Sequence, residues 1–262
     1  MDKIISVETV LLGATFYAAA YAAADPENCL IIERKSVVGS DFAACMNAAE
    51  CQPLKYSPMI SSFKADLVKA GILMENGSIH IIPTSLMLSE FILENRLSIL
   101  LETETISVQR KDDHFCISIF NRDGYRMIVS RKIIDTNAFE AEGAFRTLGL
   151  VLANGTKPPV IPEQTGYIQK ERSEDELIFH LLLSKGDDNI SAREKMRKVI
   201  ERTDILEDWQ AGALASCFAW HYPNGSVCEP ADSGVLRIAS ASFGNLLSAM
   251  EGGFRDAAAN HC

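Results

Sequence analysis

The sequence predicts a three-layer α/β fold with a β-meander and a small α+β subdomain. Three observations carry that prediction. An apolar strand at residues 10–12 meets Gly13 and passes into an alanine-rich helix; a second apolar strand, 29–32, ends on Glu33; and residues 234–253 run as a strand, a small-residue turn and an amphipathic helix.

The first strand and its turn set the value of each position that follows. In a dinucleotide-binding βαβ unit the first glycine makes the tight turn, the second lets the backbone approach a pyrophosphate, and the third lets helix and strand pack closely. Here those places hold Gly13, Thr15 and Ala18, with Ala14 inside the turn. Alanine at the third place is harmless, whereas Thr15 puts a branched side chain where phosphate oxygens sit. Glu33 stands about twenty residues beyond the first glycine, where such folds hydrogen-bond the ribose of an adenosine. A secretory leader is the rival reading of residues 1–25, in which Met1-Asp2-Lys3 is followed by an apolar run and then by the small residues Ala22-Ala23-Ala24 before Asp25. Glu8, Gly13 and the strand ending on Glu33 count against it.

After the second strand, residues 33–42 form a polar loop that contains Arg34, Gly39, Ser40 and Asp41. From Thr9 to Phe42 the chain resembles the amino-terminal motif of FAD-dependent oxidoreductases with the glutathione-reductase type of FAD domain. The resemblance implies a Rossmann-like FAD/NAD(P)-binding domain in which this loop wraps the adenosine and leads toward the flavin. Of the family's glycine pair only Gly39 is present, with Ser40 beside it. Arg34 and Asp41 are read as loop residues with cofactor contacts.

A helix is expected around residues 83–94, then strands at 97–108, 115–121, 125–129 and 130–136, with a hairpin turn at Asn121-Arg122-Asp123-Gly124. In the family this order gives a strand with adenine contacts, Ile106 among them here, a meander and a return strand ending in Asp135-Thr136. A generic mixed sheet is the plain alternative. Pro158-Pro159 and Pro162 mark a break; 178–183 reads as strand and 191–208 as a charged surface helix. These fall in a short stretch, 138–230, where the family inserts a substrate subdomain; residues 1–137 and 231–262 are assigned to the FAD-binding part. At the carboxy end Ala239-Ser240 replaces the family's Gly-Asp pair, so a hydroxyl stands in for a carboxylate. Gly244, Asn245 and Leu246 open the last helix, where backbone amides meet the flavin ring in the family.

Composition sets outer bounds. The 262 residues are 47% hydrophobic, enough for a large core, and the net charge of -10 with no basic cluster argues against nucleic acid. No apolar run is long and clean enough to span a bilayer. Seven cysteines without a close CxxC pair read as reduced thiols of a cytoplasmic protein and argue against a zinc or iron–sulfur site, so no metal is expected. No second glycine-rich strand-helix turn follows, so a dedicated NAD(P)H domain is missing.

The candidate catalytic groups are His221, an acid or base just before the last strand, and Cys45, a thiol brought near the flavin by the resemblance. For both, a structural role is the competing reading. Arg237 inside the last strand needs a partner, a phosphate, a substrate carboxylate or a salt bridge. The leading functional expectation is an FAD-dependent oxidoreductase, or the flavin subunit of one, that oxidises a small organic substrate as a homo-oligomer or with a partner subunit. The alternative is a degenerate flavoprotein-fold subunit without catalysis, acting as a binding or assembly partner.

Overall fold

The computed structural model describes residues 4–51, 54–155, 159–171, 176–202, 208–231 and 233–259. Residues 1–3, Pro158, part of the expected 191–208 helix, His261 and Cys262 lie outside them. The fold begins with β1 (Ile5–Leu12), α1 (Phe16–Ala24) and β2 (Cys29–Ile32), followed by α2 (Pro58–Lys69), α3 (Thr84–Glu94) and β3 (Ile99–Leu100). The meander is β4 (Glu104–Lys111), β5 (His114–Asn121) and β6 (Gly124–Asp135). β2, β1 and β6 pair in parallel, with Val10 opposite both Leu30 and Ile133. Continuous apolar strands suit this sheet because both its faces are covered. Leu11, Ile31 and Ile134 face the helices, while Val10, Leu30, Ile32 and Ile133 pack with Phe115, Ile117 and Ile119 of the meander. The three layers are helices, parallel sheet and meander.

Two boundaries differ from expectation. Residues 97–108 are two strands, because Glu102 takes a positive φ of 49° and Thr103 turns back to donate its N–H to Glu33 C=O at 2.9 Å. Residues 125–129 and 130–136 are the single strand β6, whose first half pairs antiparallel with β5 and whose second half pairs in parallel with β1. One strand serves both layers.

A second sheet holds β7 (Phe145–Ala153), β8 (Gly166–Lys170), β9 (Glu176–Leu183), β10 (Gln210–Leu214) and β11 (Ala219–His221). Its helix α4 (Asn189–Ile200) begins at a capping box, with Asp188 Oδ1 accepting from Ser191 N at 2.8 Å, and ends at Ile200 where 191–208 was expected. Ala192, Met196 and Val199 form its buried face. β12 (Cys228–Pro230) then returns to the first sheet and pairs with β13 (Leu236–Ile238), which lies parallel to β6. A 3-10 turn, Ser240–Phe243, leads into α5 (Leu246–Ala259). Among the described residues no helix is long and apolar enough to cross a membrane.

α5 lies against α1 through Gly253. A Cβ at that position would sit 2.2 Å from the Tyr17 carbonyl oxygen, so the two helices touch backbone to backbone. Tyr17 adds a hydrogen bond from its hydroxyl to Asp256 at 2.6 Å. Gly253→Val is therefore expected to cost about 3 kcal/mol or more by overpacking, read as a lowered denaturation midpoint, whereas Gly71→Ala, at a position with open space around it, costs less.

Candidate dinucleotide cleft

The turn after β1 is tight. Gly13 has φ of 96°, and a Cβ on it would come within 2.7 Å of Asn137 Oδ1. Thr15 does not project outward as expected from its place in the turn. It caps α1, accepting from Ala18 N at 3.1 Å and donating to Thr136 Oγ1 at 2.9 Å, while Thr136 donates on to the Leu12 carbonyl at 2.9 Å. Threonine is a good N-cap because its oxygen satisfies an amide the helix leaves open.

The amides of Ala14, Phe16 and Tyr17 are also engaged. Ala14 N donates to Glu33 Oε2 and Lys35 N to Glu33 Oε1, each at 2.8 Å. Phe16 N donates to Asp41 Oδ2 at 3.2 Å, Ser240 Oγ donates to the same oxygen at 2.6 Å, and Tyr17 N donates to Ser240 Oγ at 3.3 Å. The first turn and the last strand-helix corner thus meet, with the Asp41 carboxylate between them. That carboxylate lies at the amino end of α1, where the helix dipole and free amides favour an anion. Its other oxygen, Oδ1, is fully enclosed and has no hydrogen-bond partner among the described residues. Burial, outweighing the bonds from Ser240 and Phe16, pushes the Asp41 carboxyl up to about 7.

These groups open onto a cleft of about 610 Å³. Gly13, Thr15, Glu33, Arg34, Ser40 and Asp41 line it, joined by Lys35, Thr103, Glu104, Thr105 and Asn137, by Cys217 and Phe218 of the loop before β11, and by Trp220 of β11. Gly39 holds the loop to the turn, its N–H donating to the Ala14 carbonyl at 2.8 Å. Arg34 lies 3.8 Å from Glu104 across the mouth. Ala14 and Ala18 are buried beneath the turn.

The other expected site residues lie elsewhere. Ile106 is 55% exposed on β4, beside a register shift that turns Thr105 rather than Ile106 to the cleft. Gly244 and Asn245 line a separate cavity of about 730 Å³ against Gln169 and Lys170 of β8. Asn245 Oδ1 accepts from Ser248 N at 2.9 Å as the cap of α5, and Leu246 is buried in the core. Arg237 has its partners inside the protein, Glu229 at 3.2 Å and the Phe139 ring at 3.9 Å.

His221 is turned away from the cleft into a polar chain within the second sheet. His221 Nε2 and His180 Nδ1 meet Thr147 Oγ1 at 2.9 and 3.1 Å, and His180 Nε2 meets Gln169 Oε1 at 2.9 Å. Gln169 Oε1 also accepts from Ala48 N, and the Tyr167 hydroxyl lies 3.2 Å from His221 Nε2, so both imidazoles have polar partners in their neutral forms. Burial lowers His180 to about 3 and His221 to about 4. Cys45 is buried, its thiol donating to the Asp41 carbonyl at 3.1 Å.

Sequence reasoning passed over Lys35, Asn137, Cys217, Phe218 and Trp220. The Asp135-Thr136 strand end marked the neighbourhood of Asn137; the rest sit in loops and an edge strand with no local pattern.

No family model and no curated protein matches the chain. Solved structures do. A geranylgeranyl bacteriochlorophyll reductase-like protein from Thermoplasma acidophilum is similar at TM-score 0.62 and 12% identity over 98% of this chain and 78% of that one. Aklavinone-11 hydroxylase, solved with FAD and aklavinone, is similar at 0.62 and 12% over 98% of this chain and 62% of its own. This chain shares the fold of these two proteins. L-proline dehydrogenase from P. horikoshii shares it at 0.61 and 10%, over 96% of this chain and 92% of that one.

In the cleft Glu33 stands at the tip of β2, and at the amino end of α1 the Phe16 amide and the Ser240 hydroxyl meet the chain's own Asp41 carboxylate, with the Tyr17 amide on the Ser240 oxygen.

Proposed function

We propose that this chain is an FAD-dependent oxidoreductase, or the flavin subunit of one, acting on a small organic substrate and working as a homo-oligomer or with a partner subunit. The observation that carries this reading is the anion corner, where groups remote in sequence converge on Asp41 Oδ2 at the amino end of α1. Such a corner binds phosphate when the internal carboxylate leaves it. Glu33 and Lys35 would hold the ribose end, and Phe16 N, Tyr17 N and Ser240 Oγ the diphosphate. FAD, when bound, supplies a two-electron acceptor for hydride. The chain's own part is to orient the substrate: Phe218 and Trp220 wall the cleft, and the Arg146 guanidinium lies 5.2 Å and 5.6 Å from their rings.

The test is an absorption spectrum of the native protein followed by an FAD titration at pH 6. A flavin spectrum or saturable uptake supports the proposal; a flat titration at pH 6 overturns it. One observation favours a second reading, a binding or assembly subunit without catalysis: Thr15, Asp41 and Ser240 already satisfy the amides a diphosphate needs. That reading expects a co-purifying partner and no FAD uptake even after Asp41 is removed.

A further inference from the structure

We propose that Cys217 and Cys45 form a peroxide-reactive dithiol that closes into a disulfide between the cleft wall and the loop after Ser40. Two backbone segments remote in sequence are stitched together beside this pair. Ser216 N donates to the Ala44 carbonyl at 3.0 Å, and Ser216 Oγ donates to the same oxygen at 3.3 Å. Cys217 and Cys45 are the next residue on each strand of this stitch. Their sulfurs converge on one stretch of main chain: Cys217 Sγ lies 3.6 Å from the Ser40 carbonyl, and Cys45 Sγ lies 3.1 Å and 3.4 Å from the carbonyls of Asp41 and Phe42.

The pair is asymmetric in the way stepwise oxidation needs. Cys45 is buried, and its thiol is held protonated by the neighbouring Cys217 and by lying away from water. Cys217 faces the cleft and is pulled below the ordinary thiol range by the neighbouring Cys45 thiol and by the Lys35 ammonium, against the opposing effect of burial. The half-buried, more acidic sulfur on the cleft wall is the attacker and the fully buried one the resolver. Cys29 and Cys51 are internal controls, because burial pushes their thiols up to about 12 and about 11.

The chemistry balances with a peroxide as oxidant. Cys217 thiolate attacks one oxygen of hydrogen peroxide; an S–O bond forms, the O–O bond breaks, and hydroxide leaves to become water with a proton from solvent. The Cys45 thiol then attacks the sulfenic sulfur; an S–S bond forms, the S–O bond breaks, and the departing hydroxyl leaves as water with the Cys45 proton. Two thiols are oxidised to one disulfide and one peroxide is reduced to two waters.

The experiment uses the full chain, fully reduced, desalted and exposed to a few equivalents of hydrogen peroxide. Intact mass is expected to fall by two hydrogen atoms, non-reducing peptide mapping to place the bond between Cys45 and Cys217, and dithiothreitol to reverse it. The Cys45→Ala chain is expected to stop at a Cys217 sulfenic acid that dimedone traps. Iodoacetamide should modify Cys217 first at pH 7, with the rate falling about tenfold in Lys35→Met as the thiol moves back toward its ordinary range. An unchanged wild-type mass, a bond between other cysteines, or Cys217 carrying oxygen without a link to Cys45 would overturn the proposal. The wild-type mapping decides it without a variant and does not depend on whether FAD binds.

Discussion

Asp41→Ala binds FAD about tenfold or more tightly than the wild-type chain at pH 8, and the gap narrows toward pH 6. The wild-type carboxylate occupies the acceptor position at the amino end of α1, bound by Phe16 N and Ser240 Oγ. An incoming diphosphate must displace it and meet its charge. Since the Asp41 carboxyl titrates at about 7, lowering the pH from 8 to 6 takes it from mostly charged to mostly neutral, which bounds the pH effect at roughly tenfold. Asp41→Asn removes the charge and keeps the volume, so it separates repulsion from occupancy: a pH-independent affinity near the wild-type value at pH 6 is expected. A wild-type affinity that does not change between pH 6 and 8 would remove Asp41 from this role.

The same group has a stability signature with a definite sign. Its folded value lies above its unfolded value of 3.8, so its contribution is fully present below the unfolded value and is lost as pH rises through about 7. The ionised form costs the folded state on the order of 4 kcal/mol across that window. Asp41→Asn is therefore stabilising relative to wild type at pH 8 and close to neutral at pH 4.

Acid unfolding of the second sheet is the other large expected effect, and its sign is opposite. His180 is fully buried and its folded value of about 3 lies below 6.5. Its contribution is present above 6.5 and is lost as pH falls through about 3, again on the order of 4 kcal/mol. Protonation sets a charge between Thr147 and Gln169, and the positive end of His221 lies close by if it too takes up a proton. Denaturant unfolding at pH 7, 5 and 4 should show this loss. His180→Gln should lower stability at pH 7 by about 2 kcal/mol and flatten the acid limb. An acid limb of unchanged slope in that variant would place the titration elsewhere.

How much was readable in advance differs by element. β1, α1, β2, the hairpin at Asn121 and Gly124, and β9 follow from local apolar pattern and turn chemistry, and they appear where the sequence puts them. Residues 97–108 misread as one strand because only the pairing of Thr103 with Glu33 breaks it, and β6 misread as two because its change of partner leaves no mark in its composition. Gly13 and Glu33, which line the cleft, follow from spacing, and Ser240 behind it follows from the resemblance of the last strand. Ile106, Asn245 and Leu246 went elsewhere because a register shift and a helix cap, both settled by neighbours, turned them.

The sequence by itself determined the βαβ turn, the acidic tip of the second strand and the kind of layers this chain builds, since each depends on residues a few positions apart. Only the tertiary structure decided which anion the turn holds, which thiol faces Cys45 and where His221 points. Asp41 meets Ser240 across 199 residues and Thr147 meets His221 across 74, and nothing in a local pattern says which remote side chain packing will bring to an open amide, a sulfur or an imidazole.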